Sequence, residues 1–272
     1  MQRILDGRRV LVTGGGRGIG RAIALAMANA GASVAVLARS GEQIDAVADE
    51  IEQLGARGLA VRADLARTDE VEAGVSRVLS EWAGIDVLVN NAGVLGPVGP
   101  TQDLDPEALA VMFQVNLFAA FWCAQLVLPG MIERKAGKIV NLSGGGAVDP
   151  RPRFGAYAAS KAGIVRFTET LAVEVAEHNI YVNAIAPGAI HTAMVDEMLN
   201  AEGATDEDRA EARSIIDDRK GPERAAALAV FLASANSDGL SGRLISAIWD
   251  DWESMDIQAV MKSDRFTLRR LT

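Results

Sequence analysis

The chain has little with which to cross-link, bind metal or meet nucleic acid. Its one cysteine, Cys123, cannot form an intrachain disulfide. It sits in an apolar helical run, where a thiol acts as a small buried hydrophobe. No metal site is expected. Aromatic residues make up only 5% of the chain, so the core must be built from aliphatic side chains. Cations are outnumbered, 27 Lys and Arg against 36 Asp and Glu, for a net charge of -9. That balance repels phosphate backbones and anionic membrane surfaces, so neither a nucleic acid nor a membrane is an expected partner. No run of 18 or more apolar residues points to a membrane span. The first residues lack an apolar segment behind their basic side chains, so no signal peptide is expected and the compartment is read as cytoplasmic.

Glycine and aliphatic residues are present in strength, and 49% of the 272 residues are hydrophobic, enough for an ordinary buried core. Arg9–Val12 is a short apolar run that ends at Thr13-Gly14-Gly15-Gly16-Arg17-Gly18-Ile19-Gly20. A helical pattern follows from Arg21 to about Ala30, stopped by Gly31. Strand, glycine turn and helix in this order aim free backbone N–H groups at whatever lies in the turn. The glycine spacing differs from the commoner G-x-G-x-x-G fingerprint but suits a pyrophosphate. Ser33–Ala38 then reads as a strand, Glu42–Leu54 as a helix and Gly58–Arg62 as a strand. Thr68–Trp82 reads as a helix capped by Thr68, and Asp86–Val89 as a strand. Strands alternating with helices predict an α/β fold, a doubly wound parallel sheet with helices on both faces. Ligands of such sheets bind beyond the C-terminal strand ends, where Thr13, Ala38, Asp64 and Asn90 fall.

The second strand lacks the acidic residue that grips the ribose hydroxyls of NAD in many such folds. It ends Ala38-Arg39-Ser40, and Arg39 offers a guanidinium fork suited to the 2′-phosphate of NADP. Arg17, inside the glycine turn, can reach the same phosphate. NADP(H) is therefore expected over NAD(H).

Farther on, Tyr157 and Lys161 are four residues apart in a stretch that reads as helix through His178. At that spacing both side chains lie on one face. An ammonium beside a phenol favours phenolate and is expected to pull Tyr157 below its usual pKa of about 10. Such a group can give a proton to an alkoxide or take one from an alcohol.

The glycine turn, Asn90-Asn91-Ala92-Gly93, Asn116, Tyr157-x3-Lys161 and Ala186-Pro187-Gly188 occur in the order and spacing of one family. Over residues 8 to about 246 the chain resembles the short-chain dehydrogenase/reductases. The resemblance implies a single Rossmann-like catalytic domain, 1–248, with about seven parallel strands and hydride exchange between a nicotinamide cofactor and a ketone or secondary alcohol. It implies that Tyr157 is the general acid/base, that Lys161 holds the nicotinamide ribose, and that Asn116 keeps a helix open for a relay water. The implied cofactor cradle comprises Gly14, Gly16, Arg17, Gly18, Ile19 and Gly20, then Arg39 and Ser40, Asp64 and Leu65. Asn90, Ala92, Gly93, Tyr157, Lys161, Pro187, Gly188, Ile190 and Thr192 complete it. His191, with no partner in sequence, reads as a loop residue. Residues 193–220 match the segment that closes over substrate, and Arg151 and Arg153 are placed to meet an acidic or phosphorylated one. The helical stretches Asp105–Met131 and Tyr157–His178 are apolar on more than one stripe, and relatives commonly form homodimers or homotetramers through them.

One residue departs from the pattern. Family members carry a carbonyl-holding serine at the position of Gly144, and here Ser143 stands one residue early, before Gly144-Gly145-Gly146. On a regular strand a one-residue shift turns a side chain to the opposite face. Either the glycines let Ser143 swing into the site, or Ser143 is a structural hydroxyl and the carbonyl is held by Tyr157 and backbone donors. The same departure admits a cofactor-binding regulator without turnover. A sugar-nucleotide epimerase shares the Tyr-Lys pair but needs a tighter glycine spacing and a larger substrate domain. The last strand, Arg243–Ile248, lacks the family's usual ending. The tail 249–272, with Trp249, Trp252 and Phe266, is expected to pack on the domain or on a neighbouring subunit.

Overall fold

The structure, a computed structural model, describes residues 3–270; residues 1–2 of the expected domain and 271–272 of the tail lie outside the described residues. Seven strands form one parallel sheet. They are β1 (Arg9–Thr13), β2 (Ser33–Ala38), β3 (Gly58–Arg62), β4 (Val87–Asn90), β5 (Gly137–Leu142), β6 (Ile180–Ala186) and β7 (Leu244–Ser246), in the order β3-β2-β1-β4-β5-β6-β7. The inner strands are buried on both faces, which is why they read as continuous apolar runs rather than alternating ones. Val12 pairs with Val36 on one side and with Val89 on the other, so Thr13, Ala38 and Asn90 end at one edge of the sheet. The chain leaves β1 towards β3 and returns to β4 beside β1. That reversal opens a crevice at the strand ends.

Helices cover both faces. On one lie α1 (Gly18–Asn29), α2 (Gly41–Gln53) and α9 (Glu223–Ala233), packed against Val10, Val12, Val34 and Val36. On the other lie α3 (Thr68–Trp82), α5 (Ala119–Arg134) and α6 (Gly155–Glu174), packed against Leu11, Ala35, Leu37 and Ile139. Successive residues of one strand thus serve opposite cores. A third cluster joins Tyr157, Phe154 and Leu95 to Val195 and Met198 of α7 (Ala193–Asn200) and Ala212 of α8 (Asp206–Asp218).

Several expected boundaries move for local reasons. The cap of α3 is Arg67, not Thr68; Arg67 reaches over the first turn to Asp69 at 2.9 Å and Glu70 at 2.8 Å. Asp86 precedes β4 instead of opening it, because its carboxylate takes both the backbone and the guanidinium of Arg9. The stretch from Asp105 is two helices, α4 (Pro106–Phe113) and α5, joined by a π turn over Gln114–Phe118, with Asp105 capping α4 through the N–H groups of Glu107 and Ala108. Residues Pro106–Arg134 together are long and apolar enough to cross a membrane. Their apolarity also matches their packing, since Cys123, Val127 and Met131 enter the sheet core and Phe121 stacks on Phe167. Helix α6 starts before Tyr157 and ends at Glu174, followed by a separate turn at Ala176–His178.

Strand β7 is three residues rather than six. Asp250 takes the N–H of Ser246, and the Ser246 hydroxyl takes those of Ile248 and Trp249, which turns the chain away. The tail then doubles back, through α10 (Ile257–Met261), to the open side of β7. There Phe266 O accepts from Leu244 N at 2.8 Å. Leu268 N donates to Glu169 of α6 at 2.7 Å, and Arg269 pairs with the same carboxylate. Trp252 is buried with its ring centroid 5.6 Å from that of Phe231, whereas Trp249 is 85% exposed. Trp252→Ala is expected to cost about 3–5 kcal/mol, and Trp249→Ala no more than about 0.5 kcal/mol, in urea unfolding followed by far-UV circular dichroism.

Candidate functional site

One large cleft, about 1370 Å³, runs along the C-terminal edge of the sheet. It exceeds the ~300–1,000 Å³ typical of drug-sized ligands. At one end is the glycine turn. A side chain at Gly20 would lie 2.2 Å from Gly14 O, and one at Gly14 2.9 Å from the Cα of Ala92, so only bare backbone fits there. Gly14 is braced from β4, because Asn91 Nδ2 donates to Thr13 O and Gly14 O while Thr13 Oγ1 accepts from the N–H groups of Asn91 and Ala92. The N–H groups of Gly18, Ile19 and Gly20, in the first turn of α1, have no acceptor among the described residues. Arg17, Arg39, Ser40, Asp64 and Leu65 line the same end. Arg17 and Arg39 are exposed and enter no ion pair among the described residues. Asp64 accepts from Ala66 N, and its own N–H goes to Glu70.

At the other end, α6 brings Tyr157 and Lys161 to the exit of β5. Lys161 Nζ is buried and donates to Leu142 O at 3.0 Å; it makes no other bond among the described residues. A Cβ on Gly93 would lie 3.4 Å from both Lys161 Nζ and Asn116 Oδ1, so the three meet at the cleft wall. Asn116 sits in the π turn, its Oδ1 taking Val94 N at 2.8 Å and its Nδ2 donating to Val94 O and Ser160 Oγ. Pro187, Gly188, Ile190 and Thr192 line the cleft opposite, as do Ala92 and Gly93 beside β4. Asn90 stands behind this wall rather than in it. Its Nδ2 donates to Asn141 Oδ1, Asn141 Nδ2 donates to Thr168 Oγ1, and Asn90 Oδ1 is buried without a partner among the described residues, beside a small cavity shared with Asn116.

The charge states differ from those expected from spacing alone. Burial pushes the Tyr157 phenol up to about 12, opposed only by the positive charge of Arg151. Burial also pulls Lys161 down to about 8. In the protein by itself the phenol is raised rather than lowered, and the Lys161 ammonium, whose Nζ stands 5.7 Å from the Tyr157 ring centroid, does not bring about the expected fall.

Ser143 lines the cleft beside Gly144, while its hydroxyl bonds back to the fold. Ser143 is buried and its Oγ donates to Lys161 O at 3.4 Å. Gly144 faces the phenol, since a Cβ there would lie 2.6 Å from Tyr157 Oη. Helices α7 and α8 form residues 193–220 and cover this end. Arg153 is tied to Gly203 O and is a strut of that segment. Arg151 lines the cleft and pairs with Glu211 of α8. His191 does find a partner, Asp196 at 2.9 Å, at the exposed rim. Sequence reasoning missed Ser160, Asn141 and Thr168, which orient the wall from behind, and Thr267, which lines the cleft together with Trp249 and Phe266 of the tail that was expected to pack. Only the polar character of Asn141 and Thr168 in otherwise apolar runs signals the first group.

With this geometry in hand, comparisons with known proteins agree along nearly the whole chain. The short chain dehydrogenase family model matches residues 8–203. A 3-oxoacyl-[acyl-carrier-protein] reductase of Synechocystis sp. is 40% identical over 204 residues, 73% of this chain and 80% of that protein. Among solved structures, a putative short-chain alcohol dehydrogenase from Sinorhizobium meliloti superposes with a TM-score of 0.80 at 37% identity, covering 91% of this chain and 97% of that one. A 7α-hydroxysteroid dehydrogenase complexed with NADH and 7-oxo glycochenodeoxycholic acid superposes with a TM-score of 0.80 at 32% identity, covering 90% and 94%. Fold, cleft and sequence together show that this chain belongs to the short-chain dehydrogenase/reductase family of oxidoreductases.

Proposed function

We propose that the protein interconverts a ketone and a secondary alcohol with NADP(H), Tyr157 acting as general acid/base. The observation that carries this reading is the meeting of a buried phenol, a buried ammonium and the Asn116 amide at one wall of a glycine-floored cleft. The two Lys161 protons not given to Leu142 O suit ribose hydroxyls, and the bare backbone at Gly14–Gly20 suits a pyrophosphate. When bound, the nicotinamide supplies or takes the hydride at C4. Tyr157 gives its proton to the oxygen formed on reduction and takes it back on oxidation. Asn116, held in its π turn, and the small cavity behind it support a proton path from Lys161 into the protein. A regulator without turnover rests on Gly144 alone; it has no use for a lysine buried on the same helix face as the phenol, whose desolvation is costly.

The preference for NADP(H) rests on Arg17 and Arg39 at the cleft end and on the missing acid after β2. The exposed apolar side chains Val111, Phe118, Phe121 and Val173 on α4–α6 support a homodimer or homotetramer through these helices. A cytoplasmic compartment is proposed with them.

Three measurements test the proposal. Tyr157→Phe is expected to lower kcat for carbonyl reduction by about 10²–10⁴-fold, read at 340 nm across a panel of ketones; equal rates would sink the acid/base role. NADPH is expected to bind more tightly than NADH in fluorescence titration, and Arg39→Ala to erase most of that difference; tighter NADH binding would refute the assignment. Lys161 is charged below its folded value of about 8 and neutral above it. NADPH affinity should therefore hold steady from pH 7 to about 8 and weaken as pH rises further, with the step absent in Lys161→Met.

A further inference from the structure

Gly144 has no hydroxyl to offer a substrate carbonyl, and the neighbouring loop holds a cation, Arg151, that the proposed proton transfer does not employ. Arg151 precedes α6 and reaches back over the β5 exit. A Cβ on Gly145 would lie 3.3 Å from Arg151 Nη1, and one on Gly144 would lie 2.6 Å from Tyr157 Oη. The guanidinium and the phenol thus flank two consecutive residues of one glycine run. Arg151 is held from two other directions. Its guanidinium carbon stands 4.3 Å from the centroid of the buried Phe154 ring, and its Nη2 donates to both Glu211 oxygens, at 2.9 and 3.0 Å, and to Met198 Sδ at 3.5 Å. Nη1 donates to nothing among the described residues.

We propose that Arg151 is the specificity-determining residue of this site, its Nη1 side taking a carboxylate that lies close to the carbonyl served by Tyr157. The inference rests on the oxidoreductase reading and narrows it to oxo acids and hydroxy acids. Several observations select this arginine and this ligand. Arg153, two residues on, is tied to Gly203 O and close to Asp208. Of these two arginines Arg151 is the one that lines the cleft; only 24% of its side chain is exposed, and a charge-assisted bond in such a place is strong. Its field reaches the reacting group, for it is the one charge opposing the upward push of burial on Tyr157. The outer rim is acidic, with Asp149, Asp196 and Glu197 lining the cleft and exposed. An anion therefore finds its favourable place deep in the cleft, so the carboxylate belongs near the reacting carbon rather than at the end of a long chain. Glu211, itself half exposed, anchors Nη2 and leaves Nη1 to the substrate.

The test separates binding from turnover. 2-Oxopentanoate, 4-oxopentanoate, methyl 4-oxopentanoate and 2-pentanone are titrated calorimetrically into the Tyr157→Phe protein saturated with NADPH, alone and with Arg151→Gln or Arg151→Lys added. The same four compounds are offered to wild type with NADPH and NADH at 340 nm. At least one oxo acid is expected to bind about tenfold or more tightly than the neutral ketones. Arg151→Gln is expected to cut that acid-over-ketone ratio by about 10–100-fold, and Arg151→Lys to keep part of it. Equal affinity for acids and neutral ketones overturns the proposal without any variant. A ratio that survives Arg151→Gln, or a loss shared equally by acids and ketones, overturns it as well, the latter marking Arg151 as a structural strut. Arginine-dependent binding with no nucleotide oxidised by any compound refutes the oxidoreductase reading while leaving Arg151 as the anion-holding group.

Discussion

Placing the Lys161 ammonium out of water, with a single protein acceptor at Leu142 O, constrains everything around it. An isolated buried cation is costly, and burial has already drawn its pKa down to about 8. The β5 exit that supplies this acceptor is tied in place from two sides. Asn90 Nδ2 to Asn141 Oδ1 and Asn141 Nδ2 to Thr168 Oγ1, both at 2.9 Å, link β4, β5 and α6 across the buried interior. Each such bond contributes about 1 kcal/mol net, but losing one partner leaves a buried polar group at a cost of about 1–3 kcal/mol. Ser143 adds a further tie from β5 to the α6 backbone at Lys161 O. The hydroxyl one position early thus ties the cleft lining to the helix that carries the site.

The same rigidity explains the charge pattern. Tyr157 and Lys161 share a helix face, yet the phenol is raised because both groups are dry and the lysine is directed to the β5 carbonyl rather than to the phenol oxygen. Spacing on a helix places two side chains side by side; it says nothing about which of them burial penalises, and here it penalises both. Arg151, reaching in from the loop, is the charge that moves the phenol the other way, and it does so from the side where a substrate enters.

Most of the sheet and the cofactor end were legible from local pattern. Apolar runs such as Val34–Leu37 stop at the strand ends, and Gly14 to Gly20 admit only a bare turn, so β1, α1 and β2 follow from side-chain size and backbone freedom. What was not legible depends on contacts distant in sequence. Arg67 displaces Thr68 as the α3 cap because two acids lie within its reach. Asp86 leaves β4 for Arg9, 77 residues away. The π turn at Asn116 is set by Val94 and Ser160, which no helical periodicity reveals. The direction of Ser143 is decided by α6, and the tail's path by Glu169 and Leu244.

That path ties the end of the chain to the chemistry. Leu268 N and Arg269 meet Glu169, eight residues beyond Lys161 on the same helix, and Thr168 beside it closes the buried asparagine chain. Phe266 extends the β7 edge and, with Thr267, lines the cleft. With the tail in place Glu169, only 8% exposed, is paired with Arg269 as well as Arg166; a tail free to fray would remove the Leu268 and Arg269 bonds and open this carboxylate to water. The lost ties fall on α6, the helix that positions Tyr157 and Lys161. Packing at β7 and proton transfer at the β5 exit therefore act on one rigid element.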